Sequence, residues 1–399
     1  VKSAWRPPST GAGFGERLGK IQARIFHNKE QNIMTHLSRR QFLTSQLGSA
    51  AALAAYSGCR SIPSSRGSGK RPNLVVMVSD DHRWDAIGCM GNRLIQTPNL
   101  DWLASEGSLF ANNFCTTSIC CTSRASILTG QYARRHGIHE FYQNIEGEQL
   151  QQTYPCILRD AGYYTGFIGK FGVGEKMPED AFDYWGGFPG QGTYFHEVEG
   201  EQRHLSSMLA EQAGEFIQSC PGHQPFCLSV SFKATHSLDY QERPFPPDPR
   251  FEELYKDTFI PPPVTADHKY YEMLPEFLKD SEGRKRWENR FRNPERYQET
   301  IRDYYRLVTT LDSAIGQVVD SLRAQGQLDN TVIVYTGDNG FFLGEKGLAG
   351  KWYMYEESAR TPLIIFDPRR AGRSAGQTVQ PMTLNIDLAP TLLDLAGQP

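Results

Sequence analysis

The chain has 399 residues, 39% of them hydrophobic, with 42 Lys and Arg against 45 Asp and Glu and a formal net charge of -3. That length is too great for one small core and suits a large single domain or two domains. Acidic and basic residues are interspersed, so there is no basic field for nucleic acid, and any anionic ligand has to be held by local positive groups.

In chain order, residues 1–33 are polar and Gly/Arg-rich without an amphipathic period, and are expected to be an upstream or disordered leader outside the fold. Residues 34–59 carry Ser38-Arg39-Arg40-Gln41-Phe42-Leu43 and then a small apolar run from Leu47 to Ala55. An arginine pair, a short apolar stretch and a following linker are the parts of a twin-arginine export signal, and the run is too short to span a membrane. Export through a twin-arginine translocase to a periplasmic or extracytoplasmic location is therefore expected. Tyr56-Ser57-Gly58-Cys59 resembles a lipoprotein processing site, which would anchor the protein through Cys59. Residues 60–71 are a Ser/Gly/Pro-containing linker, and residues 72–399 are the expected catalytic domain.

The first element of that domain is Leu74-Val75-Val76-Met77-Val78, a continuous apolar run of the kind buried on both faces of a sheet, ending in Ser79-Asp80-Asp81. Thr97-Pro98 caps a helix through Glu106, with Gly107 as its stop, and Ser108–Phe114 reads as a second strand. Tyr163–Ile168 is a short strand ending in Gly169-Lys170. A helix from Ser206 to Ser219 precedes the strand Phe226–Phe232, which leads to His236. Residues 237–292, rich in Pro, charge and aromatics, form a long excursion of the kind that builds pockets. A long helix with possible breaks covers Pro294 to Gln325. The strand Thr331–Thr336 ends in Gly337-Asp338-Asn339-Gly340, and a last strand is Leu363–Phe366. Strands alternating with helices predict an α/β fold, a central mostly parallel, mixed sheet flanked by helices. Functional residues in such sheets gather at the carboxyl ends of strands.

Asp80, Asp81, Lys170, His236, Asp338 and Asn339 all fall there. Asp80, Asp81, Asp338 and Asn339 are hard oxygen donors that suit calcium, or magnesium, although such pairs also make solvated turns. His236 reads equally as a structural histidine or as an acid for a leaving alcohol. Cys120 and Cys121 stand just ahead of a helical run with Arg124 on the next turn. They read either as small buried residues or as a nucleophile facing an anionic ester held by a helix N-terminus and a guanidinium. Lys170 and Lys351, the latter in a Gly-rich loop, are the further cations available. Cys220 and Cys227 flank a turn and read as isolated thiols in preference to a disulfide.

These residues resemble the formylglycine-dependent (type I) sulfatases of the alkaline-phosphatase superfamily. The activation motif Cys-x-Pro-Ser-Arg with its Leu-Thr-Gly ending appears as Cys120-Cys121-Thr122-Ser123-Arg124 and Leu128-Thr129-Gly130. The second motif appears as Gly162-Tyr163-Tyr164-Thr165 and Gly169-Lys170-Phe171-Gly172. Thr97-Pro98-Asn99-Leu100-Asp101 and Asn385-Ile386-Asp387-Leu388-Ala389-Pro390-Thr391 are also family-like. The resemblance implies oxidation of Cys120 to formylglycine by a maturation enzyme. A hydroxyl of the hydrated aldehyde then attacks sulfur and the alcohol leaves, and the second hydroxyl expels sulfate by collapse of the hemiacetal. It implies Asp80, Asp81, Asp338, Asn339 and the modified Cys120 as metal ligands, with Arg124, Lys170, His236 and Lys351 as catalytic groups. Thr122 stands in place of the motif proline. Gly172 stands in place of a histidine, so that another base or a water would have to act. The family's small C-terminal antiparallel subdomain is expected to be missing beyond Pro399.

The expected function is hydrolysis of a sulfate ester, on a sulfated carbohydrate, to alcohol and inorganic sulfate, with a sulfated small molecule or glycan as the partner. Two alternatives are a phosphonate monoester or phosphodiester hydrolase of the same superfamily, and a non-catalytic glycan-binding relative.

Overall fold

A computed structural model describes residues 70–370 and 375–398. The leader, the twin-arginine segment, Cys59 and most of the linker lie outside the described residues. Among the described residues no helix is long and apolar enough to cross a membrane.

The sheet strands are β1 (Asn73–Ser79), β2 (Ser108–Phe110), β3 (Tyr164–Lys170), β4 (Tyr184–Phe188), β5 (Phe226–Ser231), β6 (Thr331–Gly337), β7 (Leu363–Phe366) and β8 (Gln377–Val379). They form an 8-stranded sheet in the order β8-β2-β7-β6-β1-β5-β3-β4. β1 pairs in parallel with both β5 and β6, and β3 pairs in parallel with β4 and β5. β7 alone among the eight is antiparallel to its neighbours. The fold is the α/β architecture expected from the alternation of strands and helices. The stretch expected as one strand from Ser108 to Phe114 is divided: it breaks after Phe110, and Asn113–Phe114 joins a separate 3-stranded sheet.

The apolar run of β1 is continuous because both of its faces are covered. Val75 and Met77 enter one core with Leu209, Phe216 and Ile217 of α4 (Leu205–Ser219) and with Leu311, Ile315 and Val318 of α5 (Pro294–Ala324). Leu74, Val76 and Val78 enter the other, with Ile127 and Leu128 of α2 (Cys120–Thr129), Leu158 of α3 (Tyr154–Asp160) and Leu392 of α6 (Leu388–Leu395). Successive strand side chains point to opposite faces, so a central strand must be apolar at every position.

α5 is one unbroken helix of 31 residues. Pro294 occupies its first turn and Asn293 accepts the Arg296 amide at 2.8 Å, a regular N-terminal stop. Its buried positions, among them Ile301, Tyr304, Leu307, Val308, Leu311, Ile315 and Val318, recur at helical spacing. α1 (Pro98–Glu106) begins and ends where the sequence places it, but the Thr97 side chain does not cap it. Thr97 Oγ1 accepts the Gly88 amide at 2.8 Å. The carboxylate of Asp312 from α5 accepts the Asn99 and Leu100 amides at 3.2 and 2.8 Å.

Candidate active site

The carboxyl ends of β1, β5 and β6 are tied to one another beyond the sheet. Asp80 N donates to Ala234 O at 3.0 Å, and Asp338 N donates to Ser79 O at 2.9 Å. Asp81 adopts a left-handed conformation (φ 59), which short polar residues tolerate better than most. Its amide donates to Asp338 Oδ1 at 3.2 Å and its Oδ1 accepts from Asn339 Nδ2 at 2.7 Å. Asp80-Asp81 and Asp338-Asn339, separated by more than half the chain, thus meet in a site where all four residues are buried.

α2 points into this cluster. Cys120 is its first residue and is buried, and the N-cap Ile119 offers no side chain to the first-turn amides. Those amides and the dipole end favour an anion. Arg124, one turn on, is fixed on several sides. Its Nε donates to Asp338 Oδ2 at 2.8 Å, Nη1 to Lys170 O at 2.9 Å and also to Ser231 Oγ. Its Nη2 has no hydrogen-bond partner and lies 3.7 Å from Asp80 Oδ2.

Lys170, at the end of β3, donates to Asp80 Oδ2 and, at 2.7 Å, to Gln191 Oε1. Lys351 reaches back from the hairpin of Phe342–Leu343 and Ala349–Gly350 to Asp81 Oδ1, and lies 3.6 Å from Asp80 Oδ1. His236 donates from Nδ1 to Ser237 O at 2.7 Å, leaving Nε2 free, 3.8 Å from Asp81 Oδ2. Every residue expected at the site from the sequence is therefore in one buried cluster. Three further histidines near these motifs are engaged elsewhere or exposed: His82 bonds Tyr335, His136 bonds Ser126 at 3.1 Å, and His139 is exposed.

Burial works against the charge on Asp80, but Lys170, His236, Lys351 and Arg124 hold its carboxyl well below the usual range. Burial and the charge of Asp80 push Asp338 up to about 6, against Arg124. Burial lowers His236 to about 4 despite Asp80 and Asp81, so the imidazole rests neutral. Burial would lower Lys351 too, but Asp81, Cys120 and Asp80 hold it well above its ordinary value.

The donor set fits a hard divalent cation. Asp80 Oδ1 and Asn339 Oδ1 are buried oxygens with no hydrogen-bond donor, and such orphans are costly unless something positive meets them. Asp80, Asp81 and His236 also place ligand atoms within 4.8 Å of one another. Oxygen donors of this kind are those of calcium and magnesium.

Gly172 has a structural reason to lack a side chain. Its φ is +71, and a Cβ there would lie 2.6 Å from Arg124 Cδ. Arg124 thus fills the space that a side chain at position 172 would take. Gln191 and Ser231 join the site without a mark in the sequence. Gln191 stands between two glycines and Ser231 ends an apolar strand, signals as common in ordinary loops as in sites. The Asn385 motif also gains a role. Asn385 Nδ2 donates to Ser123 Oγ at 2.9 Å and its Oδ1 accepts the Thr116 amide at 3.1 Å, bracing α2 from behind.

Comparison with known proteins agrees with this architecture. A family model described as Sulfatase matches residues 72–398. An N-acetylglucosamine-6-O-sulfatase of Bacteroides thetaiotaomicron is 33% identical over 394 residues, covering 82% of this chain and 68% of its own. A structure solved in complex with its substrate D-glucosamine-2-N,6-O-disulfate is 31% identical, with a TM-score of 0.68 over 83% of this chain and 77% of the other. The phosphonate monoester hydrolase of Agrobacterium radiobacter shares the fold at 22% identity, with a TM-score of 0.63 over 82% of this chain and 74% of its own. A family match running through all the strands that carry these residues leaves one assignment: the chain belongs to the sulfatase family and is a sulfuric ester hydrolase.

Proposed function

We propose that the protein hydrolyses a sulfate ester of a carbohydrate, with the 6-O-sulfate of an N-substituted glucosamine as its substrate class. The observation that carries the reading is the buried meeting of Arg124, Lys170 and Lys351 with Asp80, Asp81, Asp338 and Asn339 beside Cys120. The sugar is inferred from the relatives, an N-acetylglucosamine-6-O-sulfatase and a protein solved with D-glucosamine-2-N,6-O-disulfate.

Asp80, Asp81, Asp338 and Asn339, with the modified Cys120, would hold calcium, or magnesium. Cys120 would be converted to formylglycine by a maturation enzyme. The cation supplies charge neutralisation at the ester oxygens, and the hydrated aldehyde supplies an oxygen nucleophile with a second hydroxyl for sulfate release.

The chain's own residues do the rest. Arg124, braced by Asp338 and Ser231, keeps its unpartnered Nη2 available to an oxyanion without reorganising. Lys170 and Lys351 stand on either side of the acidic pair and can take the non-bridging ester oxygens. His236, fixed through Nδ1, presents Nε2 to the leaving alcohol oxygen. A sulfate ester beside the imidazole favours its protonated form, the form that can donate to the leaving alcohol. Export through the twin-arginine translocase, with anchoring at Cys59, is part of the same proposal and rests on Arg39-Arg40 and the apolar run after them.

The test is sulfate release from N-acetylglucosamine 6-sulfate by metal-loaded protein co-expressed with a formylglycine-generating enzyme, alongside an aryl phosphate diester. Faster turnover of the diester would overturn the reading. A peptide mass showing an unmodified Cys120 in active enzyme would overturn the nucleophile.

A further inference from the structure

Lys233 lies three residues before His236 on the segment that leaves β5, and neither the motifs nor the chemistry above uses it. It is 2% exposed. Among the described residues its ammonium has no hydrogen-bond acceptor and no carboxylate partner. Its one specific contact is the ring of Tyr194, whose centroid is 4.9 Å from Nζ. A lysine buried along its stem, with no anion or acceptor at its ammonium, gives up most of its hydration for little in return, so such side chains are uncommon unless something meets them.

The surroundings say what that is. The charges that act on Lys233 are those of Asp80, Lys170, Asp81 and Asp239, which puts it beside the acidic pair and next to Lys170. Asp80 and Asp81 are already engaged by Lys170, Lys351 and Asn339, and would be engaged further by a cation. Tyr194 ties the same turn together: its hydroxyl donates to His236 O, and His236 N donates to Lys233 O at 2.9 Å. Gln191, three residues before Tyr194, is half-buried and accepts from Lys170 Nζ at 2.7 Å. Lys233 therefore stands near Lys170 and the acidic pair, on the same turn as His236.

We propose that Lys233 is a further substrate-binding residue, its ammonium taking an oxygen of the substrate's sulfate ester while Gln191 holds Lys170 in place beside it. The inference rests on the sulfatase reading and deepens it. Burial lowers the lysine to about 8, so it remains mostly cationic at neutral pH.

The experiment compares wild type, Lys233→Met, Lys233→Arg and Gln191→Ala as matured, metal-loaded enzyme, with inorganic sulfate as inhibitor and as calorimetric ligand. Losing one charge-assisted contact predicts that K233M raises both KM and the sulfate inhibition constant about 10- to 100-fold, with kcat changed only a few-fold. K233R should recover part of the sulfate affinity, and Q191A should shift KM in the same direction by less. The melting temperature of K233M should hold or rise, because a buried charge is removed. Sulfate affinity of K233M within about 2-fold of wild type would overturn the proposal. So would a loss confined to substrates with a second anionic group. Wild type that binds inorganic sulfate but hydrolyses no sulfate ester would fail the sulfatase reading instead, and calorimetry would still read Lys233.

Discussion

At the scale of single residues, the site depends on side chains that hold one another. Arg124 makes contacts to Asp338, Ser231 and the Lys170 carbonyl that a point charge on a flexible stem cannot reproduce. Replacing Cys120 with Ala should remove turnover by roughly 1,000-fold or more while the folded protein still binds sulfate; steady-state rates and calorimetry check both parts. Gly172 is a sharper case. Its left-handed backbone and the 2.6 Å approach of a Cβ to Arg124 mean that Gly172→Ala must displace the arginine. A loss of about 1–3 kcal/mol in stability and at least about 10-fold in kcat is expected, read by denaturant melts and kinetics. For the same reason Gly172→His, which restores the family residue, should not raise activity. A gain would mean the loop can re-form around a side chain.

At the scale of elements, the excursion at 237–292 acts on the site through its helix Glu282–Arg290. Arg290 is fully buried between Phe245 and Phe341. It donates to Ser237 Oγ at 2.7 Å and Asp239 Oδ1 at 2.8 Å, while its Nε and Nη1 find no acceptor. Ser237 is the residue whose carbonyl fixes His236, so this guanidinium anchors the histidine's turn to the excursion. Arg290→Met should lower kcat about 10-fold with KM little changed and stability within about 1 kcal/mol, since an incompletely paired buried charge contributes little net stability.

α4 offers a test by pH. Its N-cap is His204, whose Nδ1 accepts the Ser206 amide at 3.2 Å while Nε2 donates to Pro246 O at 3.3 Å. Burial lowers this histidine to about 4 from an ordinary 6.5. The unfolded chain therefore binds the proton first as pH falls. The neutral cap's stabilisation is complete above about pH 6.5 and is lost between there and pH 4. His204→Asn keeps a capping oxygen and removes the titration, so its melting temperature should fall less than that of wild type over that window.

At the scale of the whole molecule, the buried carboxylates of Asp80, Asp81 and Asp338 belong to two strands brought together by the sheet. Burial and the charge of Asp80 push Asp338 up even beside Arg124, and a bound cation should relieve it. Removing divalent metal with a chelator should abolish activity and lower the melting temperature by several degrees. Calcium at about 100-fold over its dissociation constant should return roughly 3 kcal/mol, since a ligand that binds only the native state stabilises it by mass action. No fall in melting temperature on chelation would count against the metal assignment.

How much of this was legible beforehand follows from what local sequence can encode. The unbroken apolar runs of β1 and β6, each ending in a polar pair, mark central strands, because burial on both faces demands hydrophobic residues at every position. The same runs mark Asp80, Asp81, Asp338 and Asn339 as strand-end residues, and the Cys120 and Lys170 motifs give the chemistry its names. These are properties of ten or so adjacent residues. Legibility stops where partners come from far along the chain. Nothing near Thr97 says that Asp312 will cap α1, nothing near Gly172 says that Arg124 will fill its side-chain space, and nothing near Lys233 says that its ammonium will be left without an anion. Those outcomes depend on the order and direction in which strands pair, which packing over the two cores decides. The sequence by itself determined the central strands, the long helices and the strand-end residues proposed to carry the chemistry. The tertiary structure decided which charges meet, which are left unpaired, and so where a sulfate would be held.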